Sequence, residues 1–257
     1  MKRVAVVTGA GRGLGRKIAE RLARRDIHVV CTDIDEGAAR TTAAIVDGTG
    51  LGQDVRDGES HRAVARAARA IGEVEIWVNN AGVLSVGDTW EMNDAAVRRI
   101  VEVNLLGLIF GCHAALDVMA RGTILNIASM SALVPTPGLA VYGATKHGVL
   151  GYSLSLSGEL RRASRPITVS TLCPDAMAGE MTGAVQHESS AGLLFSSGTL
   201  LTLDEVAEEA VALVDRPKLV RTIPAYRAAL AHLIRPFPRL GLPLVEQFAK
   251  LGRRRQR

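Results

Sequence analysis

The sequence predicts an α/β fold of the Rossmann type: a doubly wound, mostly parallel sheet flanked by helices, in a single domain with a C-terminal helical extension. The unbroken apolar run from Arg3 to Thr8 has the length of a strand and the pattern of one buried on both faces of a parallel sheet. Gly9, Gly13 and Gly15 follow at once and lead into a helix with periodic apolar residues. The length of 257 residues suits one large domain of this class.

The composition is that of a globular protein. Hydrophobic residues make up 47% of the chain, enough for a sizeable core. We see no charged-then-apolar leader at the first residues and no uninterrupted apolar stretch long enough to cross a bilayer. Cys31, Cys112 and Cys173 are widely spaced, as expected for reduced core thiols rather than metal ligands. We therefore expect a cytoplasmic protein with no metal site.

The positive charge is concentrated in the C-terminal segment. Residues 225–257 carry eight Lys or Arg against one acid, Glu246, a net charge of +7. The chain as a whole is +5, which leaves about −2 for residues 1–224. By charge, the domain is not expected to bind nucleic acid.

The glycines of the first strand-to-helix turn predict a dinucleotide-binding site. Glycine lets the backbone approach a pyrophosphate, and the helix N-terminus supplies free N–H groups and the positive end of its dipole. The spacing from Thr8 onward is Thr-Gly-x-x-x-Gly-x-Gly, not the common G-x-G-x-x-G. A plain glycine-rich turn is the alternative, and the position right after the first strand argues against it. The cofactor-binding residues assigned to this turn are Gly9, Arg12, Gly13, Leu14 and Gly15.

The end of the second predicted strand bears on the choice of cofactor. This strand covers 27–32 and ends in Asp33, where a carboxylate can hold both adenosine ribose hydroxyls and repel a 2′-phosphate. We therefore expect NAD to be preferred over NADP. Arg12 and Arg16 act against this preference, since an arginine can accommodate the phosphate. Asp33 could also cap the helix that begins near Glu36, a role compatible with ribose binding.

The middle of the chain continues the alternation of strands and helices. Strands are predicted near 49–53, 74–78 and 122–128, with helices near 36–46, 57–71 and 89–119. The strand at 74–78 runs into the turn Asn79-Asn-Ala-Gly82, and the strand at 122–128 delivers Ser129 at the edge of the sheet where ligands bind. Asn104 lies in an apolar part of the long helix, where a buried asparagine is more often structural than catalytic.

A tyrosine and a lysine one helical turn apart form the candidate catalytic pair. Tyr142 and Lys146 share one face of a helix predicted near 141–162. In that arrangement the ammonium can favour the phenolate and lower the tyrosine pKa from about 10 toward neutrality. Taken alone, the pair is a weak signal, because chance pairs on solvated helix faces are common.

The last third of the chain contains a strand at 166–173, a long loop at 175–203, a helix at 205–214 capped by Asp204, and a final strand at 218–223. The loop is long for a compact domain and partly apolar, which is typical of a lid over a binding cleft. We assign residues 1–224 to a cofactor-binding catalytic domain that includes this lid, and residues 225–257 to a basic amphipathic extension.

These patterns together resemble the short-chain dehydrogenase/reductase family in its single-domain form. The resemblance covers residues 3–182 and lies in the family order and spacing of the glycine turn, Asp54-Val55, Asn79-Asn-Ala-Gly82, Asn104, Ser129 and Tyr142-x-x-x-Lys146. It implies cofactor contacts from Ile34, Asp54, Val55, Asn80, Ala81, Gly82, Pro174 and Met177, in addition to the glycine turn, Asp33, Tyr142 and Lys146.

The resemblance also implies catalytic roles. Tyr142 would exchange a proton with the substrate oxygen, and Lys146 would bind the nicotinamide ribose and lower the pKa of Tyr142. Ser129 would hold the substrate oxygen, and Asn104 would anchor a water that relays protons through Lys146. A homodimer or homotetramer is implied in the same way.

Two stretches depart from the family pattern. After the sixth strand the family commonly has Pro-Gly-x-Val/Ile-x-Thr, and here the stretch reads Pro174-Asp-Ala-Met-Ala-Gly179. Gly179 stands at the threonine position, so Thr182 replaces the threonine only if the loop shifts, and Asp175 adds a carboxylate of unexplained role. The second departure is the extension, 225–257. We expect it to pack on a partner subunit or cover the substrate cleft, with contact to a membrane surface as the less favoured alternative.

We therefore expect an NAD-preferring oxidoreductase that interconverts a hydrophobic secondary alcohol and its ketone. The low polarity of the lid and of the segment between Ser129 and Tyr142 is the basis for a hydrophobic substrate. Two alternatives remain open: a catalytically silent dinucleotide-binding sensor or scaffold, and the same enzyme acting as a peripheral membrane protein on lipid-dissolved substrate.

Overall fold

A computed structural model describes residues 2–234 and 238–256, so residues 235–237 of the predicted extension lie outside the described part. It contains seven strands, in the order β3-β2-β1-β4-β5-β6-β7, and every adjacent pair is parallel. This confirms the predicted fold class. The strands are β1 (Arg3–Thr8), β2 (His28–Asp33), β3 (Thr49–Gly52), β4 (Glu73–Asn79), β5 (Gly122–Ile127), β6 (Ile167–Pro174) and β7 (Val220–Ile223).

The direction in which successive strands are added to the sheet changes between β1 and β4. Strands β2 and β3 lie on the β1 side of this point, and β5, β6 and β7 lie on the β4 side. Ligands of open parallel sheets bind at such a switch point, outside the carboxyl ends of the strands. The glycine turn follows β1 and the turn Asn80–Gly82 follows β4, which places both at that crevice.

Helices cover both faces of the sheet. They are α1 (Gly13–Ala23), α2 (Glu36–Ile45), α3 (Gly58–Ile71), α4 (Asp94–Val101), α5 (Gly107–Val118), α6 (Ala140–Arg162), α7 (Glu180–Gly183), α8 (Leu203–Asp215), α9 (Ala225–Ile234) and α10 (Pro238–Arg255). Buried side chains of α1, α2 and α8 form one core cluster, and those of α3, α5 and α6 form the other. The three cysteines are free and buried.

The predicted helix at 89–119 needs correction. A separate 3₁₀ turn covers Thr89–Glu91, and Asn93 starts the helix by accepting a hydrogen bond from the Ala96 amide at 2.8 Å. Between α4 and α5 the helix widens into a π segment, Glu102–Leu106. By length and composition alone, the stretch Asp94–Val118 could cross a membrane, a property shared by core helices of soluble proteins.

The predicted cap of α8 was assigned to the wrong residue, and the cap considered as a second role of Asp33 belongs to Asp35. Thr202, not Asp204, caps α8, because its hydroxyl accepts from the Glu205 amide while the Glu205 carboxylate accepts from the Thr202 amide. Asp35 caps α2 by accepting from the Ala38 amide. This leaves Asp33 outside the cap.

The segment 175–203 is folded rather than a plain loop. It contains α7 and a 3₁₀ helix at Ser189–Phe195, and its two ends are joined by hydrogen bonds between Ala176, Ala178 and Leu201. Helix α10 packs against the 3₁₀ helix, where Gly252 lies directly against the Gly192 carbonyl. The lid and the end of the extension therefore form one packed layer.

This packing gives a stability prediction. A Cβ at Gly252 would stand 1.7 Å from the Gly192 oxygen, so Gly252→Ala forces the helix away from the lid, and we expect a loss of about 1–3 kcal/mol of unfolding free energy. Gly158→Ala is the matched control, because no described atom lies within 4 Å of its Cβ in α6, and alanine there should stabilise by about 0.5–1 kcal/mol. Urea titration of both variants tests this; equal stabilisation by the two substitutions would contradict the docking of α10.

Candidate active site

The glycine turn between β1 and α1 leaves room for a phosphate. Gly13 has a φ of +55°, and a Cβ there would meet no described atom within 4 Å. A Cβ at Gly15 would stand 2.1 Å from the Gly9 oxygen, so this close approach of helix and turn requires glycine. Within the described residues, Arg12 gives α1 no side-chain cap and the first turn has no acid. The first N–H groups of α1 are thus free of the acceptors that usually satisfy them.

The turn after β4 holds the glycine turn in place. The Asn80 side chain donates to the carbonyl oxygens of Thr8 and Gly9 at 2.9 and 3.0 Å, and the Thr8 hydroxyl accepts from the amides of Asn80 and Ala81. Gly82 lies close to Asn104 and Lys146, with an ideal Cβ 3.9 Å from the Lys146 Nζ. The predicted residues of the two turns therefore come together as one structure.

Asp33 lies at the carboxyl end of β2, facing the glycine turn. Its Oδ2 accepts from the Gly11 amide at 2.9 Å and its Oδ1 from the Asp35 amide at 3.1 Å. Arg12 reaches across to Glu180 of α7, with 3.1 Å between the Nη1 and Oε2 atoms, and Arg16 pairs with Glu20 on its own helix. Both arginines named as possible phosphate partners thus have carboxylate partners.

The remaining predicted cofactor contacts differ in their burial and in the partners they already have. Ile34 is 73% exposed beside Asp33, whereas Leu14 is buried in the core. The Asp54 carboxylate pairs with Arg56 at 2.6 Å, which lowers its pKa. Val55 is buried and its side chain is apolar. Its carbonyl oxygen accepts a hydrogen bond from His61 Nε2 at 3.0 Å.

Asn104 sits in the π segment between α4 and α5 and is buried. Its Oδ1 accepts from the Val83 amide and its Nδ2 donates to the Val83 carbonyl, both at 2.8 Å. A third contact joins Nδ2 to the Thr145 hydroxyl at 3.4 Å. The side chain therefore joins the turn after β4 to helix α6, which carries Tyr142 and Lys146.

Ser129 and Tyr142 line the same cleft, and Lys146 is buried near the Tyr142 ring. The Lys146 Nζ donates to the Ile127 carbonyl at 2.9 Å and lies 5.7 Å from the centroid of the Tyr142 ring. Ser129 follows β5 with its Oγ accepting from the Ser131 amide at 3.1 Å. The structure thus brings three of the four predicted catalytic groups to one edge of the sheet, with Asn104 behind them.

The expected direction of the Tyr142 pKa shift is not what the structure gives. Burial raises the pKa of Tyr142 above its ordinary value, and the neighbouring Ser129 hydroxyl lowers it by less. Burial also lowers the pKa of Lys146 to about 8. Desolvation disfavours the charged form of both groups and is the largest cause of each shift.

The cleft in front of these residues has a volume of about 110 Å³ and is mostly apolar. Pro174 and Met177, which were predicted as cofactor contacts, line this cleft, and Thr182 lines it from α7, whereas Gly179 does not. The extension supplies Arg227, Ala231, Val245 and Phe248 to the cleft, which is one of the two positions expected for it from the sequence. The amphipathic spacing did not indicate which of its residues would line the cleft.

Asp175, unexplained from sequence, pairs with Arg227 of α9. The Arg227 Nη1 donates to the Asp175 Oδ2 at 2.6 Å, and the Nη2 donates to the Ser196 hydroxyl of the lid at 3.0 Å. Both charged side chains are largely buried. The pair links the end of β6, the lid and the extension.

The residues of the crevice fit a dinucleotide. The open glycine turn and uncapped helix N-terminus suit a pyrophosphate, and the Asp33 carboxylate suits a pair of ribose hydroxyls. In residues 2–234 and 238–256, no group of three or more His, Cys, Asp or Glu is arranged to hold a metal ion.

Comparison with known proteins agrees with this geometry. A family model described as short chain dehydrogenase matches residues 3–190. The 3-oxoacyl-(acyl-carrier-protein) reductase FabG of Escherichia coli (strain K12) is 37% identical over 198 residues, which cover 75% of this chain and 80% of that protein.

Two solved structures are also similar. A short chain dehydrogenase/reductase from Burkholderia phymatum in complex with NAD has a TM-score of 0.84 and 27% identity, covering 93% of this chain and 94% of that one. An actinorhodin polyketide ketoreductase with NADPH has a TM-score of 0.76 and 30% identity, covering 86% of this chain and 95% of that one.

Proposed function

Because the chain belongs to the short-chain dehydrogenase family, we propose that this NAD(P)-dependent oxidoreductase, acting on CH–OH groups, interconverts a hydrophobic secondary alcohol and its ketone. The observation that carries the proposal is the position of Ser129 and Tyr142 in one largely apolar cleft, with Lys146 buried near the Tyr142 ring. A catalytically silent sensor has no need of this arrangement.

In this reaction Tyr142 gives a proton to the carbonyl oxygen of the ketone or takes one from the alcohol. The Ser129 hydroxyl holds the same oxygen and stabilises its developing charge. Lys146 would bind the nicotinamide ribose and provides positive charge near the phenol. The cofactor supplies the hydride donor or acceptor.

The role of Asn104 follows from its contacts. It holds the backbone of Val83 through two hydrogen bonds and touches Thr145, one residue from Lys146. We propose that it fixes the distance between the turn after β4 and helix α6 and anchors a water that relays protons through Lys146. The π segment supports this, since such widened turns frequently occur at functional sites.

We propose NAD as the preferred cofactor. Asp33 presents a carboxylate where the adenosine ribose would lie, and a 2′-phosphate there would meet its negative charge. Arg16 is engaged with Glu20, which reduces its availability for that phosphate, whereas the pair of Arg12 and Glu180 is solvent-exposed and holds Arg12 only weakly. One solved relative contains NAD and another contains NADPH. Because the relatives differ, the proposed preference rests on the residues of this chain.

The cofactor contacts proposed for this chain are those of the crevice. They are Gly9, Arg12, Gly13, Leu14, Gly15, Asp33, Ile34, Asp54, Val55, Asn80, Ala81, Gly82, Tyr142, Lys146, Pro174 and Met177. We further propose that residues 1–224 form the catalytic domain, that 225–257 covers the substrate cleft, and that the protein is a cytoplasmic homodimer or homotetramer.

A second candidate is reduction of a 3-oxoacyl group. The relative FabG is named as a 3-oxoacyl-(acyl-carrier-protein) reductase, which favours this reaction. In this chain the lid and α10 form a packed layer next to the cleft, which favours a free small molecule over a substrate tethered to a carrier protein.

The pKa shifts give a prediction for the pH dependence. Because burial raises the pKa of Tyr142, its hydroxyl is protonated at neutral pH and ready to act as an acid. We expect kcat for ketone reduction to be highest near neutrality and to fall above the Lys146 pKa of about 8, as its ammonium loses charge. Alcohol oxidation needs the phenolate, so its kcat should rise with pH. Profiles of kcat in both directions test this; oxidation fastest below neutrality would contradict it.

The proposed function is tested by initial rates of NADH and NADPH oxidation with long-chain, cyclic and steroidal ketones, and with small sugars as a polar comparison. We expect turnover of hydrophobic ketones with NADH faster than with NADPH. Turnover of sugars alone would overturn the hydrophobic substrate class.

A further inference from the structure

The cleft contains one charged pair that the proposed reaction does not use. Asp175 and Arg227 are the charged side chains that line it among the described residues, in a wall otherwise built largely from apolar groups. Neither is needed for the proton transfer assigned to Tyr142, and the pair comes from the segments in which this chain departs from the family pattern.

Stability alone is a weak reason for this pair. Two charges taken out of water lose hydration that their attraction repays only in part, and apolar replacements are often as stable. Burial raises the pKa of Asp175 even though the Arg227 guanidinium lowers it, so desolvation outweighs the partner. Arg221 and Glu209 form another arginine–carboxylate pair outside the cleft, which is bidentate at 2.8 Å and more exposed than the Asp175–Arg227 pair.

The Arg227 guanidinium has hydrogen-bonding capacity left over. It donates to the Asp175 Oδ2 and to the Ser196 hydroxyl, its two side-chain acceptors among the described residues. A guanidinium carries five N–H groups in a fixed fork. Those that remain are available to a molecule in the cleft that Arg227 lines.

The charge of the pair decides which ligand chemistry fits. The Asp175 carboxylate already balances the guanidinium at 2.6 Å, so a ligand carboxylate would approach a second negative charge in a low-dielectric cleft. A neutral oxygen accepts the same hydrogen bonds without that repulsion.

From this geometry we propose that Arg227 is a specificity-determining residue: the substrate carries, besides its reacting carbonyl or alcohol, a second neutral oxygen that accepts a hydrogen bond from Arg227. Hydroxyl, keto and ester groups meet this description, and carboxylates do not. The inference rests on the proposed function and names the substrate class of the same cleft.

The test uses ketones matched in carbon skeleton, with the second position occupied by methyl, hydroxyl, keto, ester or carboxylate. We measure kcat/KM with NADH for the wild type, Arg227→Met and the control Arg221→Met. A hydrogen bond to a charged donor should favour the best neutral-oxygen analogue over the methyl one by about ten- to a hundredfold. This preference should disappear in Arg227→Met, mainly through KM, and persist in Arg221→Met.

Two further variants separate recognition from a structural role. Arg227→Lys keeps a positive charge beside Asp175 but lacks the planar set of guanidinium N–H donors. This variant should keep the fold and part of the preference for neutral-oxygen analogues. Asp175→Asn removes the balancing carboxylate, and should raise kcat/KM for the carboxylate analogue about tenfold or more. A purely structural pair would lower the rates of all analogues equally in each variant.

The outcomes are distinct. Equal rates for methyl and oxygenated analogues in the wild type, or a preference that survives in Arg227→Met, overturn the assignment of Arg227 and leave the proposed function standing. A wild-type preference for the carboxylate overturns the neutral ligand class. Failure of wild type to reduce any ketone in the series overturns the proposed function, and this inference with it.

Discussion

Tyr142→Phe is expected to lower kcat by about 10²–10⁴-fold, the usual contribution of a positioned general acid or base. Phenylalanine keeps the ring that lines the cleft and removes only the hydroxyl. The unfolding free energy should change little, because the ring is retained. NADH affinity, followed by fluorescence, should fall by at most a few-fold, because the other proposed cofactor contacts remain, so the loss should appear mainly in turnover.

Tyr152→Phe is the matched control for this prediction. Tyr152 lies on the same helix as Tyr142 and packs half-buried against the core beside Cys112, away from the cleft. We expect its activity to stay within a few-fold of wild type. Equal losses in the two variants would show that the effect of Tyr142 is structural, and the catalytic assignment would be wrong.

Asp33→Ser is expected to change the ratio of kcat/KM for NAD to that for NADP by about 10²–10³-fold in favour of NADP. Hydrogen bonds to a charged acceptor are worth about 1.5–3 kcal/mol, and their loss weakens NAD binding about ten- to a hundredfold. Removal of the negative charge also relieves repulsion of the NADP 2′-phosphate, and this accounts for the remainder of the expected change in the kcat/KM ratio. Steady-state kinetics with both cofactors and one alcohol measure the ratio.

Asp35→Ser provides the control for Asp33. Its carboxylate caps α2 by accepting from Ala38, and serine is also a good cap. We expect the cofactor ratio to stay near that of wild type. If Asp33→Ser leaves the ratio unchanged while both variants fold, the carboxylate does not read the ribose, and NAD preference has no basis in this residue.

Local features of this site could be predicted from sequence because local chemistry determines them. The glycine turn needs a positive φ at Gly13 and a close contact at Gly15. Because glycine meets both requirements best, it stands at fixed spacing in the sequence. Tyr142 and Lys146 are one helical turn apart, so their shared face follows from helix geometry alone.

Features that depend on long-range packing could not be predicted. Asp175 and Arg227 are separated by 52 positions, and nothing in either segment indicates that α9 returns to the end of β6. The π segment around Asn104 is one widened turn in an otherwise helical pattern, and hydrophobic periodicity is too coarse to detect it.

The pKa of Tyr142 shows why spacing alone is insufficient. A lysine one turn away predicts a lowered tyrosine pKa, but the shift also depends on how far both groups are removed from water. Desolvation is the largest cause of both shifts, and it raises the pKa of Tyr142 and lowers that of Lys146. Burial of a site is a property of the whole fold.

Isotope transfer can show whether hydride passes between a nicotinamide and a carbinol carbon at the Tyr142 cleft. A hydrophobic ketone is incubated with NADH deuterated at C4 on the transferred face, and the alcohol is analysed by mass spectrometry. We expect one deuterium at the carbinol carbon with wild type, and a rate of labelled-alcohol formation about 10²–10⁴-fold lower with Tyr142→Phe. Unlabelled alcohol, or the same rate of labelled-alcohol formation with both proteins, would contradict this expectation.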